Sequence, residues 1–379
     1  MAARNPFAPT FGASPPLLAG RDEILEDIAE ALDTGPTHPD YTVLFVGARG
    51  AGKTTMLNAV EDLARERGWI AISVDATSKG LLARLTTEAR RVVDELAEPA
   101  SRTRITGVQA GGFGLDLDRE PTTTPQPELR ALLREAGDIL ATNQTGLLIT
   151  IDEMQACDLA EARELGAVLQ HVTRREGRPV AFAGAALAQI EDTLLSDDAA
   201  TFLQRCSRVT IDRIPDADVA HAIQEPIRAN GGSIEPAALA RAVNATSGYA
   251  FMIQLVGFHT WKAARDPASG ITSGETERGI HDAERKIGRL VIAPTWNGLS
   301  DVDRRFLLAM ARDDGPSQLA TIATRLDCDT NYAGVYRHRL IKAGMITSPQ
   351  RGRVDYAHHA TRDWIRNGSA YSGTAFADE

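Results

Sequence analysis

Tyr41-Thr42-Val43-Leu44-Phe45-Val46-Gly47-Ala48-Arg49-Gly50-Ala51-Gly52-Lys53-Thr54 is the stretch on which the reading of the whole chain turns. Its first six residues are a nearly unbroken apolar run, which suits a strand covered on both faces, as in a parallel sheet. The next eight fit G-x-x-x-x-G-K-[ST] without a mismatch. Glycines let a backbone wrap phosphates with its N–H groups turned inward, aided by the N-terminus of the helix that follows. In such a P-loop the main chain of Gly47, Arg49, Gly50, Ala51 and Gly52, with Thr55 beyond, is expected to cradle the phosphates of ATP or ADP. Lys53 would reach the β- and γ-phosphates, and the Thr54 hydroxyl would ligate Mg²⁺.

Working outward, Lys53 to Arg67 places Met56, Leu57, Val60 and Leu63 on one side of a helix that Gly68 stops. Trp69 to Val74 then reads as a second strand, and strand–helix–strand at this spacing is a βαβ unit. Upstream, Ile24, Leu25, Ile28, Ala31 and Leu32 recur at helical spacing. Residues 99–127 break the rhythm and read as a hairpin insertion with a loose linker. The alternation resumes with a helix near 128–142, the strand Leu147–Ile151, a helix near 158–175 and the strand Pro179–Ala183. This predicts an α/β fold: a P-loop parallel sheet with helices on both faces.

Asp152-Glu153 follows the strand Leu147–Ile151. Side chains at the carboxyl end of a parallel strand face the ligand crevice. Asp152 is therefore expected to hold Mg²⁺, mostly through water, and Glu153 to orient the attacking water and take its proton. An acidic helix N-terminus favoured by the helix dipole is the competing reading.

With 379 residues, 43% hydrophobic and 24% charged, the composition is that of an ordinary globular protein of two or three domains. Cys157, Cys206 and Cys328 have neither disulfide nor zinc spacing, so a cytoplasmic location is expected. No run approaches a membrane span. A net charge of −10 argues against nucleic-acid binding over the whole surface.

After about residue 215 the pattern is helical. From residue 294 to 367 it reads as a winged helix: Asp301–Arg312 amphipathic, Ser317 capping Leu319–Leu326, and Asp329 or Thr330 capping a third helix that reaches Lys342 and closes at Gly344. A hairpin from Met345 to Ala357 would be the wing. From Arg325 to Arg366, eight Lys and Arg face four Asp, a local excess of +4. Tyr332, Tyr336, Arg337, Arg339, Lys342, Arg351 and Arg353 are thereby expected to meet double-stranded DNA. A protein-binding module is the alternative.

This ordered set resembles the AAA+ ATPases, within them the initiator-like group related to origin-recognition proteins. Leu17-Leu18-Ala19-Gly20-Arg21-Asp22-Glu23 looks like that family's nucleotide-proximal opening motif, which implies that Leu18, Gly20 and Arg21 lie beside adenine. The resemblance implies an extended lead-in over 1–20, a core over 21–214, a helical lid over 215–293 and a disordered tail over 368–379. It further implies that Arg205, or Arg208, acts as an arginine finger towards a neighbouring subunit, and hence a homo-oligomer. Two departures stand out. The strand Val180–Ala183 runs into Gly184 without the Asn, Thr or Ser usual in a first sensor. The lid motif Ser247–Gln254 lacks a second-sensor arginine and looks partly like the Gly-x-Pro segment of STAND-type switches, with Ala250 in place of proline. Slow hydrolysis or a nucleotide-gated switch fits these losses.

Overall fold

The structure, a computed structural model, describes residues 4–10, 12, 15–77, 79–97, 125–188, 190, 194 and 201–367. The chain divides into two compact units. One, the sheet unit, comprises Arg21–Val46 and Lys53–Thr210. The other, the helical unit, comprises Met1–Gly20, Gly47–Gly52 and Ile211–Glu379.

In the sheet unit five parallel strands lie in the order β2-β3-β4-β1-β5. They are β1 (Thr42–Val46), β2 (Ile70–Asp75), β3 (Leu147–Asp152), β4 (Val180–Ala186) and β5 (Ser207–Thr210). The helices between them are α1 (Asp22–Thr34), α2 (Lys53–Glu66), α3 (Leu81–Ala97), α4 (Pro125–Ala141), α5 (Leu159–Leu169) and the short α6 (Thr201–Gln204). Strands β1 and β4 are buried along their whole length, and β3 is buried up to Ile151, which is what helices on both faces produce. Residues Leu44, Leu85, Leu133, Ile149, Leu165 and Phe182 share one apolar core.

Three boundaries differ from the sequence reading. Helix α4 begins at Pro125, inside the expected linker, because proline is well suited to the first turn of a helix; the expected hairpin lies outside the described residues, as does the tail. Helix α5 runs on into a π-helical turn, Gln170–Arg175. Strand β4 continues through Gly184, Ala185 and Ala186, small residues that read as a stop but are fully enclosed. A Cβ on Gly184 would lie 2.4 Å from Met154 Sδ and 2.9 Å from Leu44 Cδ1, so both side chains would have to shift to admit one.

The helical unit contains α7 (Asp216–Ala229), α8 (Pro236–Thr246), α9 (Ala250–Ala263) and α10 (Ser273–Ile287), around Val219, Ile223, Met252, Val256 and Ile287. Helices α9 and α10 cross closely: a Cβ on Gly279 would lie 2.6 Å from the Thr260 main chain. The N-terminal residues pack on α9, Phe7 covering Gly257 while Gln254 accepts the Ala8 N–H. A π-turn (Gly288–Ile292) and α11 (Ala293–Asn297) lead on to α12 (Asp301–Met310), α13 (Leu319–Arg325), α14 (Thr330–Lys342) and α15 (His359–Arg366). Interleaved with these, β6 (Ser317–Gln318), β7 (Ile346–Thr347) and β8 (Arg353–Tyr356) form an antiparallel sheet in the order β6-β8-β7. Asp329 caps α14 by accepting the Tyr332 N–H, and Gly344 follows it with φ 70°. Ser317 does not cap α13; it is a β6 residue paired with Val354.

Candidate functional site

On the sheet unit, Lys53 and Thr54 open α2, directly beyond the glycine loop. Lys53 is only 6% exposed. Thr54 Oγ1 donates to Asp152 Oδ2 at 2.6 Å, joining the start of α2 to the end of β3. A second link runs parallel to it, where Thr150 Oγ1 donates to Glu61 Oε1 at 2.5 Å and Arg65 holds the other Glu61 oxygen at 2.8 Å. Thr150 and Asp152, two apart on a strand, share one face. Thr54 and Glu61, seven apart on a helix, also share one face. The two hydrogen bonds therefore set the register of α2 along β3. At the same sheet edge Asp75 ends β2 directly opposite Asp152. The hydroxyl and carboxylate oxygens of Thr54 and Asp152 are the hard donors that Mg²⁺ takes.

Glu153 adopts a left-handed conformation, φ 54° and ψ 35°, and its N–H donates to Asp152 Oδ1 at 2.7 Å. A non-glycine residue held there costs about 1–3 kcal/mol, and such residues cluster at active sites. Its carboxylate accepts from the Gln155 amide. The Gln155 carbonyl in turn accepts the N–H of Leu187, the first residue after β4, at 2.8 Å.

In the helical unit, the loop 47–52 has Gly50 at φ 78° and Gly52 at φ 103°, conformations that only glycine adopts freely. Gly47 is enclosed, since a Cβ would come within 2.7 Å of the Ile211 carbonyl. Arg49 is exposed and Ala51 buried. The turn before α9 lies on this loop: Phe251 N–H donates to the Gly50 carbonyl at 3.3 Å, and a Cβ on Gly50 would lie 2.7 Å from the Tyr249 hydroxyl. Burial raises the Tyr249 phenol well above its ordinary pKa, with Arg49 opposing. Tyr249 also meets the His358 ring edge-on at 5.4 Å. From the C-terminal module, Gly344 approaches Ala48, whose Cβ would be 2.9 Å from one on Gly344. Arg213 donates to the Ala357 carbonyl at 2.9 Å. Gly20, at φ 64°, packs on Ile214 and Asp218 with Leu18 half-buried nearby in sequence, while Arg21 is buried in the sheet unit.

The remaining expected residues are less concentrated. Arg205 and Arg208 are exposed, Arg205 preceding β5 and Arg208 lying within it. At least four of the eight C-terminal cations are paired with acids. Arg325 binds Asp313 at 2.6 Å, Arg339 binds the buried Asp303 at 2.9 Å, Arg362 binds Asp355 at 2.6 Å and Arg366 binds Asp314 at 2.9 Å. Asp303, Asp313 and Asp314 lie upstream of the segment over which the charge excess was read. Extending the segment back to Asp303 brings in Arg304, Arg305 and Arg312 as well as these three acids, so eleven cations face seven acids and the local excess stays at +4. Arg339 also lies over the Tyr336 ring, and Arg353 donates to the Pro316 carbonyl. Arg351, in the turn between β7 and β8, is exposed, Arg337 and Lys342 are half-buried, and Tyr332 and Val335 on α14 are exposed apolar surface. Among the described residues no group of three or more His, Cys, Asp or Glu is placed to hold a metal by itself. No described helix is long and apolar enough to cross a membrane.

Gln155, Glu61 and Tyr249 escaped the sequence reading as site residues. Gln155 and Glu61 belong to no spacing motif, and their partners are remote in sequence. Tyr249 sits inside the quoted lid motif but carries no phosphate-binding chemistry that would single it out.

Residues 17–183 match a family model described as "AAA ATPase domain", which takes in the glycine loop, Asp152 and Glu153. Residues 289–365 match a second model, described as a domain of unknown function, DUF8462. Nothing among the curated proteins matches the chain. Among solved structures, it is similar to the RuvB Holliday junction branch migration motor of Thermotoga maritima, at 15% identity over 92% of this chain and 95% of that one, with a TM-score of 0.48. Cdc6p of Pyrobaculum aerophilum matches at 11% identity over 95% of each chain, with a TM-score of 0.49. A chain of the Drosophila ORC bound to DNA matches at 15% identity over 96% of this chain and 90% of that one, with a TM-score of 0.41. The matched region holds the β2-β3-β4-β1 part of the parallel sheet and the glycine loop that follows β1.

Proposed function

We propose that the chain is a Mg²⁺-dependent ATP-binding protein and slow ATPase, in which occupancy of the glycine loop governs the position of a C-terminal winged helix. Loop amides from 47 to 52 take the phosphates, Lys53 supplies an ammonium to the β- and γ-oxygens, and Leu18, Gly20 and Arg21 flank the base. Mg²⁺, held by Thr54 and Asp152, would neutralise charge on the β- and γ-phosphates. In the resting geometry the Thr54 hydroxyl donates to Asp152. Glu153 accepts a proton from the water that attacks the γ-phosphorus, as the bond to the β–γ bridging oxygen breaks.

The observation that carries the coupling is that loop 47–52 packs against Tyr249 and Gly344, and Tyr249 against His358. Filling the loop with a polyphosphate changes the surface on which both rest. The test is hydrogen exchange over residues 344–358 with and without Mg·ATP. Faster exchange with nucleotide, absent in Lys53→Ala, is the expected result; identical exchange in both states would defeat the coupling.

One reading, the alternative to DNA binding, makes this winged helix a STAND-like nucleotide-gated switch towards a protein partner, with at least four of its arginines held in internal ion pairs. A second reading, in which the ligand is double-stranded DNA, rests on exposed Arg351 at the wing tip, on Arg353 beside it, and on Tyr336, Arg337, Arg339 and Lys342 of α14. Affinity for DNA that falls steeply between 50 and 200 mM salt, and that is lost on Arg351→Glu, would favour this second reading. In either case an arginine finger, Arg205 or Arg208 on the exposed edge at β5, would act only in a homo-oligomer. Sedimentation with and without Mg·ATP tests for one.

A further inference from the structure

We propose that Gln155 is the positioning residue for Glu153, acting as a bridge between its carboxylate and the end of β4. The inference rests on the reading of Glu153 as the residue that accepts the water's proton. Three observations lead to it. Glu153 sits in the left-handed region, a conformation that persists only when the surroundings over-determine it. Its main chain is held by Asp152 and its carboxylate by the Gln155 amide. Finally, β4 offers no polar side chain towards Glu153, since it ends in Gly184, Ala185 and Ala186.

The chemistry of the bridge assigns its direction. Leu187 offers an N–H, so the carbonyl end of Gln155 must face it. The NH₂ end is then turned to Glu153, where it donates to Oε2. One oxygen of the carboxylate is thus fixed by a donor that is itself tied to the backbone at the end of a central strand. The other oxygen is left to accept a proton from water. The bridge therefore does through a side chain of the β3 turn what no side chain at the end of β4 provides.

Two substitutions separate this role from simple packing. Gln155→Glu keeps an acceptor for Leu187 but removes the donor to Glu153, whereas Gln155→Met removes both at similar length. Phosphate release, KM for ATP, and affinity for ATP are measured for the parent, for both variants, and for each combined with Glu153→Gln. Displacing a positioned group by about an ångström can cost on the order of 10²-fold. Both single variants are expected to lower kcat by about 10- to 100-fold. KM and affinity should stay within about threefold, and the residual rate of Glu153→Gln should move less than twofold, because the bridge acts through that carboxylate. Parental kcat in Gln155→Glu, or equal losses with and without Glu153→Gln, would overturn the role. A loss of ATP affinity in step with kcat would also overturn it, marking the residue as structural. If the parent binds ATP but releases no phosphate, the hydrolase reading falls first and this role falls with it, an outcome visible before any variant is made.

Discussion

Thr54 and Asp152 meet at 2.6 Å, and the bond between them is a hydroxyl donating to a carboxylate, a class worth about 1.5–3 kcal/mol. On the proposed reading Mg²⁺ would compete with the Thr54 hydroxyl for the lone pairs of Asp152. Glu153 is placed beside them in a conformation that a free chain would avoid. Glu153→Gln is expected to bind ATP as the parent does and to release phosphate about 10²–10⁴-fold more slowly, the contribution typical of a positioned general base; single-turnover assays measure it. Gly184 makes the opposite point. From the sequence its place in β4 reads as a missing polar sensor, but the Met154 and Leu44 side chains fill the space where a Cβ would go. Gly184→Asn should therefore restore no activity and should destabilise the sheet unit by about 1–3 kcal/mol, seen as a lower melting temperature.

At the scale of elements, the apolar runs Thr42–Val46 and Leu147–Ile151 were legible because a parallel strand buried on both faces needs unbroken Val, Ile and Leu. The extension of β4 was not, because Gly184-Ala185-Ala186 carry no β-branched residue and owe their strand conformation to pairing with β1. The ion pairs of the C-terminal segment were not legible either, because Asp303, Asp313 and Asp314 sit one helix earlier than their arginines, on α12 and the turn after it. One of these pairs has a pH consequence. Hydrogen bonding from Arg325 lowers the Asp313 pKa below its ordinary value. A depressed carboxyl stabilises the fold above its unfolded pKa, near 4, and that stability is lost as pH falls through the lower folded value. Acid unfolding of the module, followed by fluorescence of the buried Trp296, should begin at higher pH in Arg325→Met than in the parent. Coincident transitions would show that the pair contributes nothing.

Across the whole molecule, the glycine loop is where the local pattern of the sequence and the distant contacts of the fold agree. G-x-x-x-x-G-K-[ST] named the residues, and the fold adds Tyr249, Gly344 and the bridge at Gln155, which meet their partners only through tertiary structure. The most direct test is a titration of the purified protein with labelled ATP, with and without Mg²⁺, beside Lys53→Ala. The account predicts saturable binding that strengthens with Mg²⁺ and weakens at least about tenfold in the variant, the loss of one charge-assisted contact to phosphate. Binding that is absent in the parent, or that is indifferent to Lys53, would contradict it.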